Sequence, residues 1–531
     1  MDFLTIKNGS ICRNGGPFLL RGFGLGGWLL PEGYMWKLFT KCDRPRRMEA
    51  LIETLCGAEY AQRFWQRYFD TYITRPELEH IAKAGFNSVR LPLNARRLCV
   101  RQGGKLVFRP EMIRHVDDCV RWCRELGLYV ILDMHAAPGG QTGQNIDDSE
   151  HDRPELFLCP EHQDTLTELW VMLARRYREE PAVAGYDLLN EPLPNWNAQL
   201  NHKVLPLYRR LMAAIRQVDD RHLIILEGVH WATDFSIFDG MTRSEAEENR
   251  VVLQFHKYWS VPDADSLQPF LACAERLNAP LYLGESGENN LNWYTMIFPL
   301  CERLGIGWNF WSFKKMGSRN SPVTFEQPEG WETLIAYLDG AGSLAQDEAR
   351  ALFDRFLDCI ANPIYCDEVI CALTRTPPVV IPAEAFDMWE IHSPKGSGAL
   401  LRQSDSATLV FADGHSGRPD YRRYGGECQP ESERVLVRLL ARDAVGYRFS
   451  AKGPVWVRLI CQGAGRGQIL CGGAEHTFAA GEEVLIPVQP GRDQILTVRC
   501  TEGQVLLDLV ELRIAIDTPL RIPGSKRAID R

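Results

Sequence analysis

Glu191 and Glu285 each stand at the polar end of a short apolar run: Val183-Ala-Gly-Tyr-Asp-Leu-Leu-Asn-Glu-Pro192 leads to the first and Ala279-Pro-Leu-Tyr-Leu-Gly-Glu285 to the second. One acid after a buried strand could equally be a salt-bridge partner or a helix cap. Two of them, with His135, His256 and Trp311 placed the same way on other apolar runs, predict a carboxylate pair of the kind that hydrolyses glycosidic bonds. Retaining hydrolysis needs one protonated and one ionised carboxyl, about 5–5.5 Å apart. Arg90 falls at a strand end within Asn87-Ser-Val-Arg-Leu-Pro92, where a cation can hold a carboxylate. Glu227, ending a run as Leu226-Glu-Gly, is the competing carboxylate and ranks third.

These side chains need a scaffold that brings strand ends together. Between residues 18 and 335, short apolar runs alternate with longer helical patterns, as in repeated β–α units. Eight runs read as strands: Leu19–Gly24, Ser88–Leu93, Tyr129–Met134, Val183–Leu189, Leu223–Leu226, Val251–Phe255, Leu281–Gly284 and Gly307–Trp311. Helical spacing lies between them, for example at Leu166, Leu169, Leu173 and Tyr177, and at Leu207, Leu211, Ala214 and Val218. The pattern predicts a closed (β/α)8 barrel. A doubly wound sheet is the alternative, but no Gly-x-Gly-x-x-Gly follows the first run. Residues 345–370 read as helical, and Thr376-Pro-Pro-Val-Val-Ile-Pro382 as a boundary. Beyond it the period changes to two, with strands expected at Val435–Leu439, Gly446–Ser450, Val455–Cys461, Val484–Val488, Ile495–Cys500 and Val505–Leu512. The expected organisation is a barrel domain over 1–375 and a jelly-roll-like β-sandwich over 376–531.

A net charge of -9 gives no basic field for nucleic acid or an anionic membrane, and no apolar stretch approaches the roughly 20 residues of a membrane helix. The 16 cysteines are scattered without metal spacing, and Cys119 and Cys123 read as buried thiols on a helix face. With no basic and apolar leader in the first residues, the expected location is a reducing cytosol. No metal or organic cofactor is implied, because two carboxyls suffice.

Residues 15–335 resemble glycoside hydrolase family 5, closest to its exo-β-1,3-glucanase and β-glucosidase-like branch. The resemblance rests on motifs in order: Arg21-Gly-Phe-Gly-Leu-Gly-Gly-Trp-Leu, Asn87-Ser-Val-Arg-Leu-Pro92, Asp133-Met-His-Ala-Ala-Pro-Gly-Gly-Gln141, Asn190-Glu-Pro192, Phe255-His-Lys-Tyr258, Gly284-Glu285 and Trp308-Asn-Phe-Trp311. It implies Glu191 as acid/base, its pKa raised by burial and adjacent negative charge, and Glu285 as nucleophile, held ionised by Arg90 and the Tyr258 hydroxyl. It further implies that Asn190 binds the sugar 2-hydroxyl, that His135 and His256 donate to hydroxyls or to the acids, and that Trp311 floors the −1 ring. A cis peptide between Trp311 and Ser312 also follows. Trp28, Trp36, Trp231 and Trp259 read as core or sugar-stacking residues, Glu32 and Gln141 as possible contacts, and Glu288 as a solvated loop charge. The loop Gly143-Gln-Asn-Ile-Asp-Asp-Ser149, and Ser286-Gly287 where the branch has an aromatic, depart from the pattern and leave linkage preference open.

The C-terminal part resembles carbohydrate-binding modules of the family 6 and 35 type, through Ile381-Pro-Ala-Glu-Ala-Phe-Asp387, Val445-Gly-Tyr-Arg-Phe449 and Val505-Leu-Leu-Asp-Leu-Val-Glu-Leu512. Trp389, Tyr421 and Tyr424 are its candidate sugar platform, and it is expected to stabilise the protein more than to target it. The resemblance implies a retaining β-glycosidase, exo-acting on short β-gluco-oligosaccharides or β-glucosides. An endo-β-glucanase, a glycolipid β-glucosidase and a non-catalytic carbohydrate-binding protein are the competing readings.

Overall fold

The computed structural model describes residues 1–422, 429–452, 455–479, 486–488 and 491–514. They form two compact units. The first comprises Met1–Lys257, Pro269–Ser286 and Gly305–Tyr365; the second comprises Tyr258–Gln268, Gly287–Leu304 and the chain from Cys366 onward. These units do not follow chain order as the 375/376 division does, because two segments that follow barrel strands belong with the C-terminal sheets.

The core of the first unit is a closed parallel barrel whose strands neighbour one another in chain order. They are β1 (Arg21–Gly24), β2 (Ser88–Asn94), β3 (Tyr129–Ala136), β4 (Val183–Asp187), β5 (Leu223–Glu227), β6 (Val251–Lys257), β7 (Leu281–Gly287) and β8 (Gly307–Trp311). Every residue of β2 to β8 is buried. A parallel strand covered on both faces must be nearly continuous in apolar residues, which is why these runs read clearly. Helices such as Pro110–Leu126, Pro160–Tyr177 and Val204–Arg216 connect them, each burying an apolar stripe; Cys119 and Cys123 lie on the first of these stripes, as expected. An N-terminal three-stranded sheet (Thr5–Lys7, Ser10–Arg13, Gly16–Pro17) brings Leu4 and Ile11 into one cluster with Leu20, Tyr129, Ile131, Ala184, Leu223, Ile225, Val252 and Tyr282. That cluster fills the barrel where its strands begin.

The second unit holds two antiparallel sheets. One runs Thr408–Phe411, Val435–Leu440, Gln504–Ile514, Val455–Gly463, Ile486–Val488, with Val379–Pro382 also pairing Gln504–Ile514. The other runs Met388–Glu390, Ala444–Ala451, Gly491–Glu502, Arg466–Cys471, Ala474–Ala479. The proline-rich boundary is therefore a strand in part. Helix Leu291–Arg303 packs in this unit against Asp367–Thr374 and Val379–Pro382. Buried Arg375 ties them, donating from Nε to Thr295 O (2.8 Å) and from Nη2 to Ala385 O (2.6 Å) and pairing Nη1 with Asp387 (2.5 Å). Among the described residues no helix is long and apolar enough to cross a membrane.

Candidate active site

Arg90 lies on β2, fully buried, and organises the barrel's polar end. Its Nη1 donates to Glu285 Oε1 (2.6 Å), its Nε to Asp187 Oδ2 (2.9 Å), and its Nη2 to Asn190 Oδ1 (2.8 Å) and Glu227 Oε1 (3.0 Å). Asp133 Oδ1 lies 3.2 Å from the same Nη2. Burial alone would lower the pKa of the guanidinium, but Asp133, Asp187, Glu285 and Glu227 raise it well above its ordinary value. It is a permanent cation set among carboxyls.

Glu191 follows β4 through Leu188-Leu189-Asn190 and takes a left-handed backbone with φ 43°. For a non-glycine residue this costs on the order of 1–3 kcal/mol and persists only where neighbours enforce it. Two contacts do so. The Glu191 N–H donates to Glu227 Oε2 (2.7 Å), and the Gln141 amide bridges His135 O (2.7 Å) and Asn190 O (3.0 Å). Gln141 is thus a brace for the loop. Glu227, the third-ranked acid, anchors the backbone and accepts from Arg90. Its side chain also accepts from Gln254.

His256 sits on β6 where the register with β7 shifts between Phe255 and His256, a bulge that re-aims the side chain. Its Nδ1 lies 2.7 Å from Glu191 Oε1 and 3.6 Å from Glu285 Oε2, and its Nε2 lies 3.4 Å from Glu227 Oε1. One carboxylate oxygen of Glu191, one of Glu285 and a ring nitrogen of His256 all fall within 4.8 Å of one another. Burial disfavours charge on the imidazole, but Glu227, Glu285 and Glu191 outweigh it and hold the pKa well above the ordinary histidine value. Glu227 responds in the opposite sense: burial pushes it up, yet His256 and Arg90 bring it down to about 2.

The proton inventory differs from the expectation drawn from sequence. Glu285 is pushed up from its ordinary value, chiefly by burial and further by Glu191, against the pull of His256, Arg90 and His135. The reason is its depth: it is 4% exposed. Asp187 is raised well above the carboxylate range by burial and by Glu227, despite Arg90.

His135 on β3 holds Asp133 Oδ2 at 2.7 Å through Nδ1, and its pKa is raised because Asp133 and Glu285 outweigh burial. Its Nε2 lies 3.3 Å from Asn190 Nδ2. The Trp311 ring lies parallel to His135, with centroids 5.1 Å apart and planes 4° from coplanar. Its indole N–H donates to Tyr34 Oη (3.0 Å), and the Trp311–Ser312 peptide is cis. The indole lies directly over Gly24 and Gly26: a Cβ on Gly24 would fall 2.5 Å from Trp311 Cε3, and one on Gly26 2.8 Å from Cη2 and Cζ2.

Seven of the eight expected site residues (Arg90, His135, Asn190, Glu191, His256, Glu285 and Trp311) therefore share one end of the barrel. Tyr258, immediately after β6, belongs to the second unit, where its ring meets Trp259 at 5.6 Å. Trp28 and Trp36 are core, Trp231 packs edge-on against Trp196, and Glu32 is buried. Glu288 is buried at 6% exposure, not a solvated charge, because its segment is packed within the second unit. Of the platform candidates, Tyr421 is buried and only Trp389, 40% exposed, offers a face; Tyr424 lies outside the described residues. Sequence reasoning missed Asp133, Asp187, Gln254 and Tyr34. The first three were visible as polar residues inside otherwise apolar strands.

A closed parallel barrel with paired carboxyls after its fourth strand and at its seventh has the architecture of the (β/α)8 glycoside hydrolases. Residues 55–317 match the family model "Cellulase (glycosyl hydrolase family 5)", and this part of the chain belongs to that family. A β-xylosidase of Phanerodontia chrysosporium is 31% identical over 239 residues, 45% of this chain and 48% of its own length. Endoglucanase C of Acetivibrio thermocellus is 24% identical over 315 residues, 48% of this chain and 88% of its own. A probable glucan 1,3-beta-glucosidase A of Aspergillus niger is 30% identical over 175 residues, 33% of this chain and 41% of its own. The chain thus spans about half the length of the β-xylosidase, and less than half of the glucosidase.

Proposed function

We propose that the protein is a retaining hydrolase of β-glucosidic bonds, acting on the ends of short β-gluco-oligosaccharides or on β-glucosides. The observation that carries the reading is the approach of a Glu191 oxygen and a Glu285 oxygen to within 4.8 Å. This suits the close pair of a retaining site, not the roughly 6.5–9.5 Å that leaves room for water in an inverting one. Glu285, oriented by Arg90, attacks the anomeric carbon, and the bond to the leaving oxygen breaks as Glu191 protonates that oxygen. The covalent glycosyl-enzyme is then hydrolysed by a water whose proton returns to Glu191.

His256 sets the proton supply. Its Nδ1 is 2.7 Å from Glu191 Oε1, and its raised pKa keeps the proton on the ring until the leaving oxygen draws one through Glu191. Asn190, aligned by Arg90, is suited to the sugar 2-hydroxyl, and Trp311 to the apolar face of the ring. A catalytic contribution of Tyr258 rests on the resemblance alone; Tyr258→Phe should lower kcat, and an unchanged kcat removes it. The glucosidase and xylosidase among the relatives favour action at chain ends, while Endoglucanase C, matched over most of its length, supports an endo-acting alternative. Thirteen described cysteines, all but Cys301 and Cys461, are free thiols and support residence in a reducing compartment.

The test is proton NMR of the first product released from aryl β-glucosides and from β-1,3- and β-1,4-gluco-oligosaccharides. Initial β-anomer supports retention, and initial α-anomer overturns it. Release of glucose alone from the oligomers supports exo action, and mixed shorter oligomers support the endo alternative.

A further inference from the structure

The first unit also holds a cavity of about 580 Å³ between helix Ala58–Thr71, the turn Ala95–Leu98 and the start of helix Pro110–Leu126. None of the residues discussed above as catalytic or substrate-binding lines it. Four arginines do, Arg96, Arg97, Arg109 and Arg114, against a single acid, Glu111. The acids that pair with them stand outside the lining. Glu49 binds Arg96 Nη1 and Nη2 (3.0 and 2.6 Å) and also pairs with Arg97; Asp148 binds Arg96 Nε (2.6 Å); Asp70 binds Arg114 Nη2 (2.7 Å). Arg109, at the N-cap of helix Pro110–Leu126, makes no ion pair among the described residues.

Arg97 is the most desolvated of the four. Its guanidinium carbon lies 4.6 Å from the Trp65 ring centroid and 4.8 Å from that of Phe69, and its Nε has no hydrogen-bond partner among the described residues. Burial lowers its pKa, and Glu49, shared with Arg96, offsets this only in part. The indole N–H of Trp65 is likewise buried without a partner. A buried cation short of counter-charge is costly, and an anion brought beside it relieves that cost. Carboxylates behind arginines fix the direction of their forks, the arrangement suited to phosphate and carboxylate oxygens. A chain of net charge -9 does not produce such a lining through its overall balance. The volume lies in the range of small-molecule sites, roughly 300–1,000 Å³.

We propose that this cavity binds a small organic polyanion carrying phosphate or carboxylate groups, recognised by Arg97, Arg109 and Arg114. The proposal is independent of the reading of the barrel's carboxylate pair.

The test is isothermal titration calorimetry of the full chain with inorganic pyrophosphate, glucose 6-phosphate and citrate, with ionic strength matched by potassium chloride so that screening is constant. The expected result is saturable binding of at least one, with Kd weakened about tenfold or more by Arg109→Gln, the loss of a charge-assisted contact. Arg178→Gln, an exposed arginine outside the lining, should leave Kd unchanged. Binding of both phosphate compounds assigns phosphate as the recognised group, and binding of citrate alone assigns carboxylate. Arg97→Met should abolish binding, and Arg109→Gln carries the test should that variant fail to fold. Absence of saturable binding by all three at millimolar concentration, or a Kd indifferent to Arg109→Gln, would overturn the proposal.

Discussion

Where the barrel strands begin, Leu20, Tyr129, Ala184, Leu223, Val252 and Tyr282 pack with Leu4 and Ile11 into a cluster with almost no polar side chain. Where the same strands end, Arg90, His135 and His256 face Asp133, Asp187, Glu191, Glu227 and Glu285, all of them buried. Burying apolar surface stabilises by roughly 25 cal/mol per Å², whereas collecting charges in a low-dielectric interior is at best weak evidence for stability. One end holds the strands together, and the other uses that rigidity to keep groups where they would not otherwise stay. The left-handed backbone of Glu191 belongs to the second category.

If this division is right, damage at the two ends should differ in kind. The largest effect is expected from Glu285→Gln, which should lower kcat on aryl β-glucosides by about 10⁴-fold or more, about 5 kcal/mol of barrel-mouth chemistry. Circular dichroism should show the fold retained, and a variant keeping a tenth of its activity would place the nucleophile elsewhere. Glu191→Ala should cost about 10²–10⁴-fold on substrates with poor leaving groups and much less on activated ones, whose departure needs little protonation. Equal losses on both would remove Glu191 as the acid.

At the opposite end, Leu223→Ala should lose about 2–5 kcal/mol in urea unfolding through the cavity it leaves, with kcat per folded molecule unchanged. A matching fall in kcat would erase the division. The subtlest test is Glu227→Gln. Glu227 is the largest influence raising the pKa of His256, so its neutralisation should shift the basic limb of the kcat/KM profile to lower pH. A merely structural role would lower the rate without moving that limb. Stability should follow as well. The pKa of Glu227 falls from an ordinary 4.5 to about 2 on folding, so its ionised form contributes stability above pH 4.5. That contribution is lost as pH falls toward 2, and the stability gap between wild type and variant should narrow over the same interval.

The barrel was readable because strands covered on both faces leave unbroken apolar runs, and all eight runs are strands. The site was readable where a polar residue terminates such a run, as at Glu191 and Glu285. It was less readable where polarity sits inside the run: Asp133, Asp187 and Gln254 bond Arg90 or Glu227, and only the closure of the barrel brings those partners together. Glu288 failed for a related reason, since no local pattern says that a charged loop residue will be packed. In the second unit, Val379–Pro382 was hidden by its prolines, although its partner strand Gln504–Ile514 lies more than a hundred residues away and decides its conformation. Arg466–Cys471 and Ala474–Ala479 escaped because a Gly472-Gly473 turn joins two short strands of mixed polarity.

Gly24 and Gly26 constrain how new specificities could arise in this molecule. The Trp311 indole occupies the space a β-carbon would need at either position, so no side chain can be introduced there without displacing the indole itself. Libraries randomised there should return almost only glycine among active clones. Useful diversity should come from positions without this restriction, such as half-buried Gln144, Asn145 and Ile146, so that evolution of substrate range proceeds by remodelling the rim over an unchanging base.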